Sequence, residues 1–158
     1  MTLFNRNRPR AFSLLELVIV VVVIGIIAAI AIPRMSRGAA GASDAALIAD
    51  LAVLRNAIDT FGAEHGGSYP TKADIVNQLT QYTDNAGGAQ AAKDATHVWG
   101  PYIRKVPPLP VGAKKGKSGI LDIDGADVGW IYNETTGEIR ANTTAAEKDV
   151  ANKLYSDY

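Results

Sequence analysis

Cysteine is absent from the 158 residues, so no disulfide and no thiolate metal site is available, and the fold must be held by packing and hydrogen bonds. Aromatic residues are scarce (two Trp, six Tyr, three Phe), which implies a small core in which each buried ring matters. Net charge is also lacking: sixteen basic and sixteen acidic residues balance, which removes any global pull toward nucleic acid. Histidine is confined to His65 and His97, neither beside a ligand cluster. There is no Gly-rich phosphate loop and no nucleophile elbow, and Ser13 and Ser36 have no adjacent base. These absences argue against an enzyme. Lys114, Lys115 and Lys117 form a small basic cluster without interleaved aromatics, which reads as a solvated loop rather than a nucleic-acid contact.

What is present begins with an asymmetry. The first ten residues hold Arg6, Arg8 and Arg10 with no acid, and the next 22 hold one charge, Glu16. Phe12 to Ile32 is otherwise apolar apart from Ser13 and Gly25, and its helical length of roughly 31 Å matches the hydrocarbon thickness of a bilayer. The arginines on its N-terminal side place that end in the cytoplasm and the rest across the membrane. A conventional signal peptide ending at Ala31, after Ala29-Ile30-Ala31, is the competing reading; the length of the apolar run and the early carboxylate weigh against it.

Beyond Pro33, Leu47, Leu51, Leu54, Ile58 and Phe61 recur at four- and three-residue spacings, an amphipathic spine helix. Asp44, Asp50, Arg55, Asp59 and Glu64 fall largely between them, on a face expected to be solvated or to meet a neighbour. Gly66-Gly67-Ser68-Tyr69-Pro70 ends the spine. Thr71 with Asp74, and Thr144 with Glu147, resemble capping boxes, predicting a short helix carrying Ile75, Leu79 and Tyr82 and a last helix over 145–154. Asp84 to Thr96 is a loop with at most a helical turn at 91–93. Ile120–Ile123, Val128–Tyr132 and Glu138–Ala141 are short β-favouring runs, the last two joined by a hairpin at Asn133–Gly137, so a small antiparallel sheet is expected.

The segment Ala11-Phe12-Ser13-Leu14-Leu15-Glu16-Leu17-Val18, basic before and apolar after, resembles the processing site of type IV prepilins. Ala11 and Ser13 stand where most of that family has Gly and Thr. The resemblance implies cleavage between Ala11 and Phe12 by a prepilin peptidase and methylation of the Phe12 amine. Glu16 is singled out independently, because a carboxylate in an apolar span is costly and calls for a partner: the new amine of the same or an adjoining subunit, or else headgroups and water. In the family the stretch corresponding to Gly25–Pro33 can unwind on filament packing; the residues alone show two weak points in a helix.

Tyr69-Pro70-Thr71, Trp99-Gly100-Pro101-Tyr102-Ile103 with Lys105 and Pro107, and Gly129-Trp130-Ile131-Tyr132 extend the resemblance to the G-type, or major, pseudopilin of type II secretion systems; Pro108-Leu109-Pro110-Val111-Gly112 departs from its Asp-Pro-Trp-Gly segment. That likeness implies an α+β pilin-like fold, a long N-terminal helix, half membrane and half amphipathic, packed on a small antiparallel β-sheet domain. The implied organisation is a leader at 1–11, a transmembrane and filament-core helix at 12–33, a spine at 34–65 and a periplasmic domain at 66–158. It further implies a single-pass inner-membrane subunit of a homo-oligomeric helical filament that extends into the periplasm, with other pseudopilins and an inner-membrane assembly platform as partners. A type IV pilus subunit and a non-polymerising anchored binding protein are the alternatives. Calcium is bound in this family, and Asp122, Asp124 and Asp127 offer hard oxygen ligands, although a solvated turn is the plainer reading and the spacing is not that of an EF-hand.

Overall fold

A computed structural model describes residues 12–158; residues 1–11, expected to form a leader and including Ala11, lie outside the described residues. The chain divides into two units, one ending at Gly38 and the other running Ala39–Tyr158.

Helix α1 is assigned over Leu14–Glu64 and is helical at both Gly25 and Pro33. In the first unit its Leu14–Ala31 segment is the one described helix segment long and apolar enough to cross a membrane, and its Leu, Val and Ile side chains are exposed. In the second unit the expected periodicity holds: Leu47, Leu51, Leu54, Ile58 and Phe61 are all buried. Asp44 is an exception to the solvated face, being buried at 7% exposure. The helix stops in a glycine cap. Gly66 takes φ 65°, open to a residue without Cβ, and this lets the Gly67 N–H donate back to the Gly62 carbonyl at 2.8 Å.

Helix α2 spans Ile75–Thr80, shorter than expected at both ends. The Thr71–Asp74 box does not form. Asp74 is one methylene shorter than the Glu of a capping box, and its Oδ1 accepts from Asn77 Nδ2 at 2.6 Å, while the Thr71 N–H donates to Gln78 Oε1 at 2.8 Å. Gln78 is buried and its Nε2 donates to the Gly87 carbonyl at 2.8 Å, tying α2 to the following loop. Tyr82, expected on the helix, instead opens β1 (Tyr82–Thr83), which pairs antiparallel with β2 (Ala89–Gln90) inside the segment expected to be loop. Thr83 also bridges Trp99 through both backbone groups.

The larger sheet contains β3 (Gly119–Leu121), β4 (Val128–Tyr132) and β5 (Ile139–Ala141) in that order. The β4–β5 hairpin is as expected: Asn133 Oδ1 accepts from the Thr135 N–H at 2.9 Å, and Gly137 at φ 73° closes the turn. The sheet is mixed, not wholly antiparallel, because β3 and β4 run parallel. Residues 122–127 double back past the start of β3, so the Gly119 N–H donates to the Asp127 carbonyl at 2.9 Å and β4 then proceeds in the direction of β3. So short a connection ordinarily signals an antiparallel pair, which is why the sequence pattern misleads here.

Trp130, Tyr132 and Phe61 are the largest fully buried side chains, as the shortage of aromatics implied. Trp130 Nε1 donates to the Pro107 carbonyl at 2.8 Å and the Tyr132 hydroxyl to the Pro70 carbonyl at 2.9 Å, so each ring also satisfies its polar end. Gly129 is required by close approach: a Cβ there would stand 2.1 Å from the Lys117 carbonyl oxygen.

No α-helix follows Thr144. Glu147 Oε2 does accept from the Thr144 N–H at 2.7 Å, as in a capping box, but Oε1 is taken by the Ala113 N–H. Asp149 Oδ1 then accepts from the Ala151 and Lys153 N–H groups, both at 2.8 Å, and Asn152 adopts φ 67°. These side-chain bonds replace helical ones and fold 148–154 into a bridged turn, followed by a 3-10 turn at Tyr155–Asp157.

Candidate functional site

Two places carry the chemistry expected from the sequence: the start of α1 and the acidic loop between β3 and β4. At the first, Phe12 is 84% exposed and Ser13 precedes the helix. The Ser13 N–H donates to Glu16 Oε2 at 2.8 Å, and the Glu16 N–H donates to Ser13 Oγ at 3.1 Å. This is a reciprocal capping box, satisfying two amides that the first turn leaves without helical partners. The Ser-x-x-Glu signal was present in the sequence, but Glu16 stood out there for its charge alone. The carboxylate therefore has a local role before any partner is considered. Its Oε1 has no hydrogen-bond partner among the described residues. Beyond its own turn of helix, Gly25 has no described atom within 4 Å of where a Cβ would stand, so nothing in the described chain requires glycine there.

At the second place, Asp122, Asp124 and Asp127 do not converge. Each faces a different lysine: Asp122 Oδ2 lies 2.7 Å from Lys72 Nζ, Asp124 Oδ1 2.9 Å from Lys114 Nζ, and Asp127 Oδ1 2.6 Å from Lys117 Nζ. Asp124 also accepts from Asn142 Nδ2 at 2.7 Å. These donors hold all three carboxyls below the usual carboxylate range: Lys72 acts first on Asp122, Asn142 and then Lys114 on Asp124, and Lys117 on Asp127. Among the described residues no group of three or more His, Cys, Asp or Glu side chains is placed to hold a metal ion. As placed, the aspartates do not fit a calcium site. Nor are Lys114 and Lys117 simply solvated; they are the aspartates' partners, a pairing that spans ten residues and leaves no local sequence signature.

The histidines show no catalytic geometry. Both ring nitrogens of His65 face backbone carbonyls, Nδ1 that of Phe61 at 2.8 Å and Nε2 that of Asp84 at 2.9 Å, with the ring stacked on Phe61 at 3.8 Å. His97 has Asp94 at 2.9 Å and the Thr96 hydroxyl at 3.1 Å on the same nitrogen, Nδ1. A nucleophile–base pair oriented by an acid needs the hydroxyl on the opposite nitrogen.

An exposed apolar helix segment with one carboxylate at its cap, followed by a small α+β unit, defines a class: a pilin-like architecture, consistent with a single-pass membrane-anchored protein. Residues 6–32 match the prokaryotic N-terminal methylation motif, the prepilin signal of type IV pilin-like proteins. No curated protein and no solved structure matches the chain significantly.

Proposed function

We propose that this chain is a structural subunit of a type II secretion pseudopilus, processed between Ala11 and Phe12 and assembled through its N-terminal helix into a filament that helps move folded proteins out of the periplasm. The observation that carries the filament reading is the coincidence, within residues 6–32, of the methylation motif and an apolar helix segment whose large side chains are exposed among the described residues. Lipid covers such a surface before assembly, and neighbouring copies do so afterwards, with Gly25, Ala28, Ala29 and Ala31 permitting close helix approach. Glu16 and the Phe12 amine freed by cleavage are opposite charges near the same depth, and their pairing would select one register of neighbouring subunits over slipped ones. The secretion assignment rests on the likeness of Tyr69-Pro70-Thr71, Trp99–Ile103 and Gly129–Tyr132 to the G-type pseudopilin.

The test is the N-terminus and intact mass of protein recovered from its native membrane, together with a deletion strain. A chain starting at methylated Phe12, with loss of folded exoproteins from the medium on deletion, supports the proposal. Normal export with loss of surface pili, twitching or DNA uptake assigns the filament to a type IV pilus. A chain starting at Ile32 removes the filament reading altogether.

A further inference from the structure

The misfit between the acidic loop and a metal has a positive counterpart. A divalent ion in an oxygen-lined loop neutralises carboxylates and ties them to backbone carbonyls. Lys114 Nζ makes both kinds of contact, reaching Asp124 Oδ1 at 2.9 Å and the Gly125 carbonyl at 2.8 Å. Its side chain is only 28% exposed, against 65% for Asp124, so the ammonium is the inner member of the pair. From the other side Asn142 Nδ2 donates to the same Asp124 Oδ1 at 2.7 Å and to the Val128 carbonyl at 2.7 Å. A metal ion at this carboxylate oxygen would have to displace two donors already aimed at it. Lys117 and Lys72 each stand as a single donor against Asp127 and Asp122, so three acids are matched by three ammonium groups from two other segments of chain.

We propose that Lys72, Lys114 and Lys117 act as built-in cations that hold the 122–127 loop, and with it the parallel β3–β4 pairing, in place of a divalent metal. The ammonium group suits the task because it carries three donors on a flexible stem and needs no fixed coordination geometry. Lys114 is the central member, since it alone bonds both a side chain and the backbone of the loop, and the loop passes directly into β4 and Trp130.

The test uses the full chain in detergent micelles, with amide exchange read at Gly119 and across 122–128, and thermal midpoints taken in chelator and in millimolar calcium. The wild-type midpoint and loop exchange should be the same in both conditions. Lys114→Met, which keeps the length and removes the charge, should speed loop exchange roughly threefold or more while leaving α2 unchanged. A rise of several degrees in the wild-type midpoint with calcium would overturn the proposal, because only a bound ion shifts the folded state by mass action. Unchanged loop exchange in Lys114→Met would overturn it equally. Should Lys114→Met not fold, the more exposed Lys117→Met carries the same expectation at Asp127 and Val128, and wild-type exchange there would again sink the idea.

Discussion

The hydroxyl of Tyr155 donates to the buried carboxylate of Asp44 at 2.7 Å, joining positions 111 residues apart. The second oxygen of Asp44 accepts from the Val150 N–H at 3.1 Å, so one carboxylate on α1 fastens the C-terminal turn twice. Arg55, further along α1, donates to the carbonyls of Ile139 and Tyr158. Tyr155→Phe should therefore cost about 1–3 kcal/mol in denaturant unfolding of the full chain, through a buried acceptor left short of its donor. The same bond has an alkaline signature. Burial first, then the Asp44 bond, pushes the Tyr155 hydroxyl up to about 12 from its ordinary 10.0. A raised folded-state value means the stabilisation is complete below pH 10 and is lost as pH rises toward 12. Unfolding followed across that window should show a steeper decline in wild type than in Tyr155→Phe.

Glu147 sets the acid side. The Thr144 N–H first, with further help from the Ala113 N–H, holds its carboxyl below 4.5. Its contribution is present above that value and is lost as pH falls through the lower folded-state value. Glu147→Ala should lose about 1 kcal/mol at neutral pH, a modest figure because the group is near solvent. The difference from wild type should shrink on acidification, which a pH series of urea midpoints will show; a constant difference would mean that the loss comes from packing.

Gly129→Ala should be among the most damaging single changes. The added methyl meets a backbone oxygen that no side-chain rotation can move, so a loss of about 3 kcal/mol or more is expected, with disturbed Trp130 fluorescence as the direct readout.

Ser13→Ala removes the hydroxyl half of the α1 cap and leaves Glu16 in place. Exchange of the Glu16 amide in micelles should rise roughly fivefold, the order expected for a lost N-cap. Insertion should be unchanged. Glu16→Ala should also insert, but filament assembly should fail if its carboxylate pairs between subunits; assembly at the wild-type level would confine Glu16 to capping its own helix.

Much of this was legible in the sequence. The apolar segment, the Leu47–Phe61 stripe and the β4–β5 hairpin each arise from patterns a few residues long, with burial and turn chemistry pointing the same way. Apart from the parallel β3–β4 pair, which a short connection disguised, and the β1–β2 ladder in an expected loop, several differences share a cause: a polar side chain had two uses and the sequence favoured the other one. Asp74 and Asp149 bond locally instead of leading into longer helices, and Asp44 is buried rather than solvated. Each outcome depends on which distant group arrives beside the side chain. The cap at Ser13 and Glu16 is the reverse case, a local signal hidden by the greater interest of an acid in an apolar run.

The fastening of Asp44 to Val150 and Tyr155 also has a bearing on timing. Leu47, Leu51, Leu54, Ile58 and Phe61 emerge early in synthesis, yet the cluster that covers them includes Trp130, Tyr132, Ile139 and Ala141, and the latch on Asp44 comes later still. Until some hundred further residues have been made, the spine displays an uncovered apolar face, and closure over such sequence separations is slow. Folding of the second unit thus has a built-in clock: the apolar face of the spine is closed and latched only after the residues around Val150 and Tyr155 have arrived.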